Sequence, residues 1–221
     1  SLNRIETAAI KKWLPTDADV VAHHVETAES FPDDLLKSGF THVIHSGSAL
    51  SITETAPFTQ KATSSIQAFR DNGVAQFGIC YGHQLLCLAL VGKHAVRSSP
   101  NGLEAGWNTV TFVNNGVNHL GVRESETVWQ HHFDEVTELP EGSELLATNA
   151  HSSIQAFINQ NQRLFGTQFH PEFVKEAGDK IYLDDRDLLQ RNNYNVDEMV
   201  TKGPSIDTGK TFFGFFLRHV P

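Results

Sequence analysis

The chain has 221 residues, 39% of them hydrophobic, which is enough for one sizeable core. Its formal net charge of −9 argues against nucleic acid as a main partner. No apolar run approaches the ~18 residues of a membrane span, and no signal-peptide pattern is present, so neither a membrane partner nor export is expected.

In chain order, Leu2–Leu14 carries apolar residues at 2, 5, 9, 10, 13 and 14, a helical spacing. Val20–Val25 and His42–Ile44 read as strands, and Ala62–Asp71 as a helix. The apolar run Val74–Ile79 suits a buried parallel strand, and Tyr81–Leu90 a helix packed by Leu85, Leu86, Leu88 and Leu90. Short strands are expected at 94–97, 107–113, 127–131, 145–148, 153–158 and 164–169, several of them forming hairpins or an antiparallel layer beside the main sheet. Glu172–Leu189 reads as one polar amphipathic helix, Asn192–Gly209 as the most loop-like stretch, and Thr208–His219 as a phenylalanine-rich helix docked on the core. This alternation predicts an α/β sheet with helices on both faces.

Cys80 sits at the strand-to-helix junction of VAQFGICYGHQLLCL (74–88), between Gly78 and Gly82. A sharp elbow there needs small neighbours and lifts a nucleophile out of the sheet onto a helix N-terminus, where partial positive charge favours thiolate. A buried core cysteine between packing glycines is the plainer alternative. LFGTQFHPEF (164–173) changes that balance: a second apolar strand ends in His170-Pro171-Glu172. Residues two apart in extended backbone share a side, and Pro171 keeps His170 out of helical geometry, so His170 and Glu172 can serve as base and orienter for Cys80. Cys87 reads as a core thiol. Seven residues from Cys80 on one helix, at ~1.5 Å per residue, it stands ~10 Å away, beyond disulfide reach. Reduced thiols imply a cytoplasmic setting.

Gly-Ile-Cys-Tyr-Gly-His-Gln (78–84) together with His-Pro-Glu (170–172) resembles the class I, or triad, glutamine amidotransferases. VWQHHFDEV (128–136), LPEG (139–142) and LLATNAHSSIQAF (145–157) resemble the glutamine domain of GMP synthetase, and Ser46-Gly47-Ser48 is closest to the oxyanion loop of stand-alone relatives, including γ-glutamyl peptidases. The likeness spans about residues 40–175. It implies a flavodoxin-like, open, mostly parallel sheet with a small antiparallel layer, in a single domain over 1–221. The family's first strand is not found at this N-terminus.

For the site, the resemblance implies a Cys80–His170–Glu172 triad that cleaves a γ-glutamyl amide through a thioester on Cys80, with glutamine as substrate. It also implies an oxyanion hole from the Tyr81 amide and the Gly47-Ser48 loop, and substrate contacts from Gln84, His151, Ser153 and Ile154. No cofactor is needed for that half-reaction. The ammonia acceptor would belong to a separate synthetase subunit, if there is one. Two alternatives stand beside this reading: a peptidase acting on glutathione-like substrates, and a non-catalytic partner or sensor subunit. No metal is expected. His131 and His132 are adjacent in a strand and point to opposite faces, and no H-x-x-x-H or paired-cysteine spacing occurs, so His132 and Asp134 are read as structural.

Overall fold

A computed structural model describes residues 2–32 and 35–220. The elements run α1 (Leu2–Lys11), β1 (His42–His45), α2 (Thr59–Asp71), β2 (Ala75–Ile79), α3 (Tyr81–Leu90), β3 (Val96–Ser98), β4 (Glu104–Phe112), α4 (Gly116–Leu120), β5 (Ser125–His132), β6 (Asp134–Val136), β7 (Glu144–Thr148), β8 (Ala156–Asn159), β9 (Leu164–Thr167), α5 (Lys175–Asp184), α6 (Arg186–Arg191), α7 (Val196–Met199) and α8 (Thr208–His219). One seven-stranded sheet has the order β1-β2-β9-β8-β7-β4-β5. β1, β2 and β9 are parallel. β8, β7, β4 and β5 continue the same sheet antiparallel, and β3 pairs with β6 in a separate ribbon. The expected antiparallel strands thus mostly extend the main sheet edge-on.

Alternation along the strands feeds two cores. On one face, Phe77 and Phe165 pack against Phe212, Phe213, Phe215 and Phe216 of α8. On the other, Phe157 and Leu164 pack against Ile66 of α2 and Leu86 of α3. Each fully buried phenylalanine is worth about 1.5–3 kcal/mol against exposure, so α8 is held by packing, with Asp207 accepting from the Lys210 amide at its N-terminus. A third cluster, Trp107, Trp129, Tyr182 and Leu189, fills the space between β4–β5 and helices α5–α6.

Three expectations are corrected. Val20–Val25 is not a strand; Val21 is half exposed, and the segment gains no sheet partner among the described residues. The helix read over Glu172–Leu189 starts at Lys175 and breaks at Asp185. Adjacent Asp184 and Asp185 are weak helix formers, and the break re-aims α6 so that Leu189 is buried and Arg186 pairs with Asp197. The last strand ends at Thr167, and His170-Pro171-Glu172 follows in a turn, not in extended backbone.

Candidate active site

Parallel pairing of β1, β2 and β9 brings their carboxyl ends to one edge, with His45 opposite Gly78 and Ile79 opposite Thr167. Open α/β sheets present ligand sites at such edges. Cys80 leaves β2 with φ 51° and ψ −104°, a backbone state that L-residues rarely adopt and that costs of order 1–3 kcal/mol. It is pinned from both sides: its amide donates to the Thr167 carbonyl at 2.8 Å, and its own carbonyl accepts from the Gln84 amide at 3.1 Å. The flanking glycines are required by contact. A Cβ on Gly82 would fall 2.0 Å from the His45 carbonyl oxygen, and one on Gly78 would fall 2.5 Å from the Gly82 oxygen. The elbow therefore forms as the sequence predicts.

The Cys80 sulfur lies 3.9 Å from the His131 carbonyl oxygen and 3.8 Å from the Gln168 amide nitrogen. It also acts on His170 through charge and a hydrogen bond. His170 Nδ1 meets Glu172 Oε1 at 2.7 Å, and both side chains are buried. Burial disfavours the imidazolium, but the Glu172 carboxylate and the Cys80 sulfur outweigh it and hold the His170 pKa well above the usual histidine value. The imidazole is wedged between the edge of Trp129 at 5.0 Å and the face of Phe173 at 5.3 Å. Its amide donates to the Trp129 carbonyl, and Trp13 Nε1 donates to the Glu172 carbonyl. Cys80, His170 and Glu172 thus come together as expected.

Tyr81 opens α3, where its amide has no intrahelical acceptor. Gly47 and Ser48 follow β1 at the same sheet edge, with Gly47 buried and the Ser48 hydroxyl turned back to accept from the Leu50 amide at 3.1 Å. Gln84 is buried, not on a helix surface; its amide nitrogen donates to the Asp134 carbonyl at 2.8 Å and to Gln168 at 3.2 Å. The 149–155 loop leads into β8, whose first residue pairs with Thr167, so it reaches the same edge. Within it Ser153 is exposed, Ile154 joins the α2–α3 core, and the His151 carbonyl accepts from Asn101.

His131 and His132 do point to opposite faces. His131 stacks on Trp129 and lies 3.6 Å from Asp185; burial, then the neighbouring His170, push its pKa down to about 4, so it is neutral. His132 faces Glu104, and the ligand atoms of Glu104, His132 and His151 gather within 4.8 Å. This grouping was not legible in the sequence. Glu104 Oε2 already accepts from His132 and Gln155, each at 3.0 Å, and Oε1 from Asn149 at 2.6 Å. The other His132 nitrogen, Nδ1, faces the Asp134 carbonyl at 2.9 Å. With its donors filled, the carboxylate ties the 149–155 loop to β4 and β5 and offers no preformed metal cage. Gln168, Trp129 and Phe173 also escaped the sequence reading, because only tertiary packing carries them to the sulfur and the imidazole.

Sheet edge, cysteine elbow and buried histidine–carboxylate pair define an α/β protein built for nucleophilic chemistry at sulfur. The sequence profile described as glutamine amidotransferase class-I matches residues 8–188. The chain belongs to that family. It is 35% identical over 172 residues to the first of the separately encoded subunits of the glutamine-hydrolysing GMP synthase of Saccharolobus solfataricus, covering 77% of this chain and 85% of that one. It is 33% identical over 141 residues to the glutamine-hydrolysing GMP synthase of Clostridium novyi, of which those residues span only 26%. A glutamine amidotransferase from Thermotoga maritima shares the fold with a TM-score of 0.66 at 20% identity, covering 86% of this chain and 80% of that one. Among the described residues, no helix is long and apolar enough to cross a membrane.

Proposed function

We propose that this protein hydrolyses the side-chain amide of glutamine, with Cys80 as nucleophile, His170 as acid–base and Glu172 as its orienter, all within one glutamine amidotransferase domain. The observation that carries the reading is the His170–Glu172 contact of 2.7 Å, coupled to a sulfur on a strained elbow. Sulfur attacks the γ-carbonyl carbon as His170 takes the thiol proton. The imidazolium then protonates the departing nitrogen; ammonia leaves and a γ-glutamyl thioester remains on Cys80. Water, deprotonated by His170, attacks the thioester, glutamate departs and the thiol is restored. The Tyr81 amide and the Gly47-Ser48 main chain receive the oxyanion, each donor being worth ~3 kcal/mol in the barrier. Gln84 and the residues His151, Ser153 and Ile154 frame the substrate. Kinship with one subunit of a GMP synthase supports delivery of the ammonia to a separate synthetase chain.

The test is release of ammonia from glutamine, and of amine from glutathione, by wild type with Cys80→Ala as blank. Release from glutamine above the blank supports the proposal. Release from glutathione alone would replace it with the γ-glutamyl peptidase reading, in which the Ser46-Gly47-Ser48 loop borders a larger leaving group. Wild type equal to the blank on both substrates would overturn independent hydrolysis and favour a partner-dependent or sensor role.

A further inference from the structure

Residues 46–53 leave the end of β1 without regular structure and carry the proposed oxyanion donors Gly47 and Ser48. Most of the loop's own hydrogen bonds are short-range, such as Ser46 Oγ to the Gly47 carbonyl and the Thr53 amide to Ser51 Oγ. Its tie to the rest of the site is one side chain, Asp134, 82 positions beyond Ile52 in the chain. Asp134 Oδ2 accepts from Ser51 Oγ at 2.6 Å and from the Ile52 amide at 2.9 Å, and Oδ1 accepts from Ser98 Oγ at 2.9 Å. The residue is only 5% exposed. A carboxylate that deep is tolerated when its oxygens are met by donors, and bonds to an ionised acceptor are about twice as strong as neutral ones.

The backbone of Asp134 is held just as firmly. Its carbonyl accepts from Gln84 Nε2 at 2.8 Å and faces His132 Nδ1 at 2.9 Å. Gln84 is one helical turn beyond Cys80 and donates its amide to the Cys80 carbonyl. One residue therefore grips the nucleophile helix with its main chain and the 46–53 loop with its side chain.

We propose that Asp134 is a positioning residue that sets the 46–53 loop against the Cys80 elbow, so that the Gly47-Ser48 main chain faces the oxyanion as it forms. The proposal rests on the hydrolase reading above. Asp134 touches no reacting atom. Its effect falls on the transition state, because the donors it aligns meet charge that exists only there.

Asp134→Ala and Asp134→Asn in the full chain test this by three measurements: kcat and KM for glutamine, hydrogen exchange of residues 46–53, and the rate of Cys80 alkylation by iodoacetamide, which forms no oxyanion. For Asp134→Ala the expected result is a kcat lower by roughly 10–100-fold, with KM and alkylation within about twofold of wild type and at least about tenfold faster exchange in the loop. Asp134→Asn should recover most of the loss, since its oxygen can accept from Ser51 and Ile52 while its amide donates to Ser98. If Asp134→Ala does not fold, Ser51→Ala, which leaves the Ile52 bond, should show the same pattern more weakly. Wild-type kcat and loop protection in the alanine variant would overturn the proposal, as would equal falls in kcat and alkylation rate. If wild type itself releases no ammonia, it is the hydrolase reading that fails, and loop exchange alone decides whether Asp134 is the clamp.

Discussion

His170 and Glu172 are joined at 2.7 Å across the single proline that separates them, in a turn that buries both side chains. A carboxylate so placed selects the tautomer and stabilises the imidazolium without itself reacting. Glu172→Gln should therefore keep the fold and lower kcat by about 10²–10⁴-fold, with a smaller change in KM. Steady-state ammonia release checks this; a kcat within threefold of wild type would remove Glu172 from its role.

The same contact has a pH signature. The folded-state pKa of His170 is raised by Glu172 and the Cys80 sulfur, so the proton binds more tightly in the folded than in the unfolded protein. The resulting stability is complete below the unfolded value of about 6.5, falls as pH rises beyond it and is lost once pH passes the folded value. Urea unfolding from pH 6 to pH 9 should show the stability difference between wild type and His170→Asn shrinking with rising pH. A difference that grows would contradict the ion pair. His131, neutral with a pKa of about 4, does not titrate in that window.

The two thiols should separate cleanly. Cys80 is at the elbow, whereas Cys87 is fully buried among leucines and its thiol pKa is pushed up by that burial. Brief iodoacetamide treatment followed by mass mapping should place the modification on Cys80 and leave Cys87 intact. Labelling mainly at Cys87 would be incompatible with this geometry.

Strain at the nucleophile predicts opposite effects on stability and turnover. Glycine adopts φ 51°, ψ −104° without the Cβ penalty, so Cys80→Gly should be about 1 kcal/mol more stable than Cys80→Ala, both lacking activity. Denaturant midpoints of the two variants measure it. Equal midpoints would mean that the elbow stores no strain.

Close contact behind the elbow predicts the reverse for its glycine. Gly82→Ala would drive a methyl group to 2.0 Å from the His45 carbonyl, and neither β1 nor α3 can yield without losing pairing or packing. The expected cost is about 1–3 kcal/mol or more in thermal or urea unfolding, together with loss of turnover as β1 and the loop behind it shift. An alanine variant of wild-type stability would show that the two elements are not in contact.

Local rules made the elbow legible in the sequence. An apolar run, a cysteine between two glycines and a leucine-rich helix each carry their conformation in nearby residues, and His170-Pro171-Glu172 needs only one turn to form its contact. Even there local spacing was incomplete, because the pair meets through a turn while strand alternation requires extended backbone. Val20–Val25 shows the limit on the fold side. β-branched residues favour extended backbone, but a strand also needs a partner edge, and pairing is non-local.

What only the tertiary structure decided lies in contacts between distant segments. Register between β1 and β2 places the His45 carbonyl over Gly82, 37 positions away, and turns a permissive glycine into a required one. Glu104 meets His132, His151 and Asn149, and Asp134 meets Ser51 and Ile52, because the sheet order sets β4, β5 and the β3–β6 ribbon beside the end of β2. The sequence determined which residue types could do the chemistry and the local bends that present them. Long-range pairing and packing chose their neighbours, since those contacts depend on strand order and burial that no local spacing encodes.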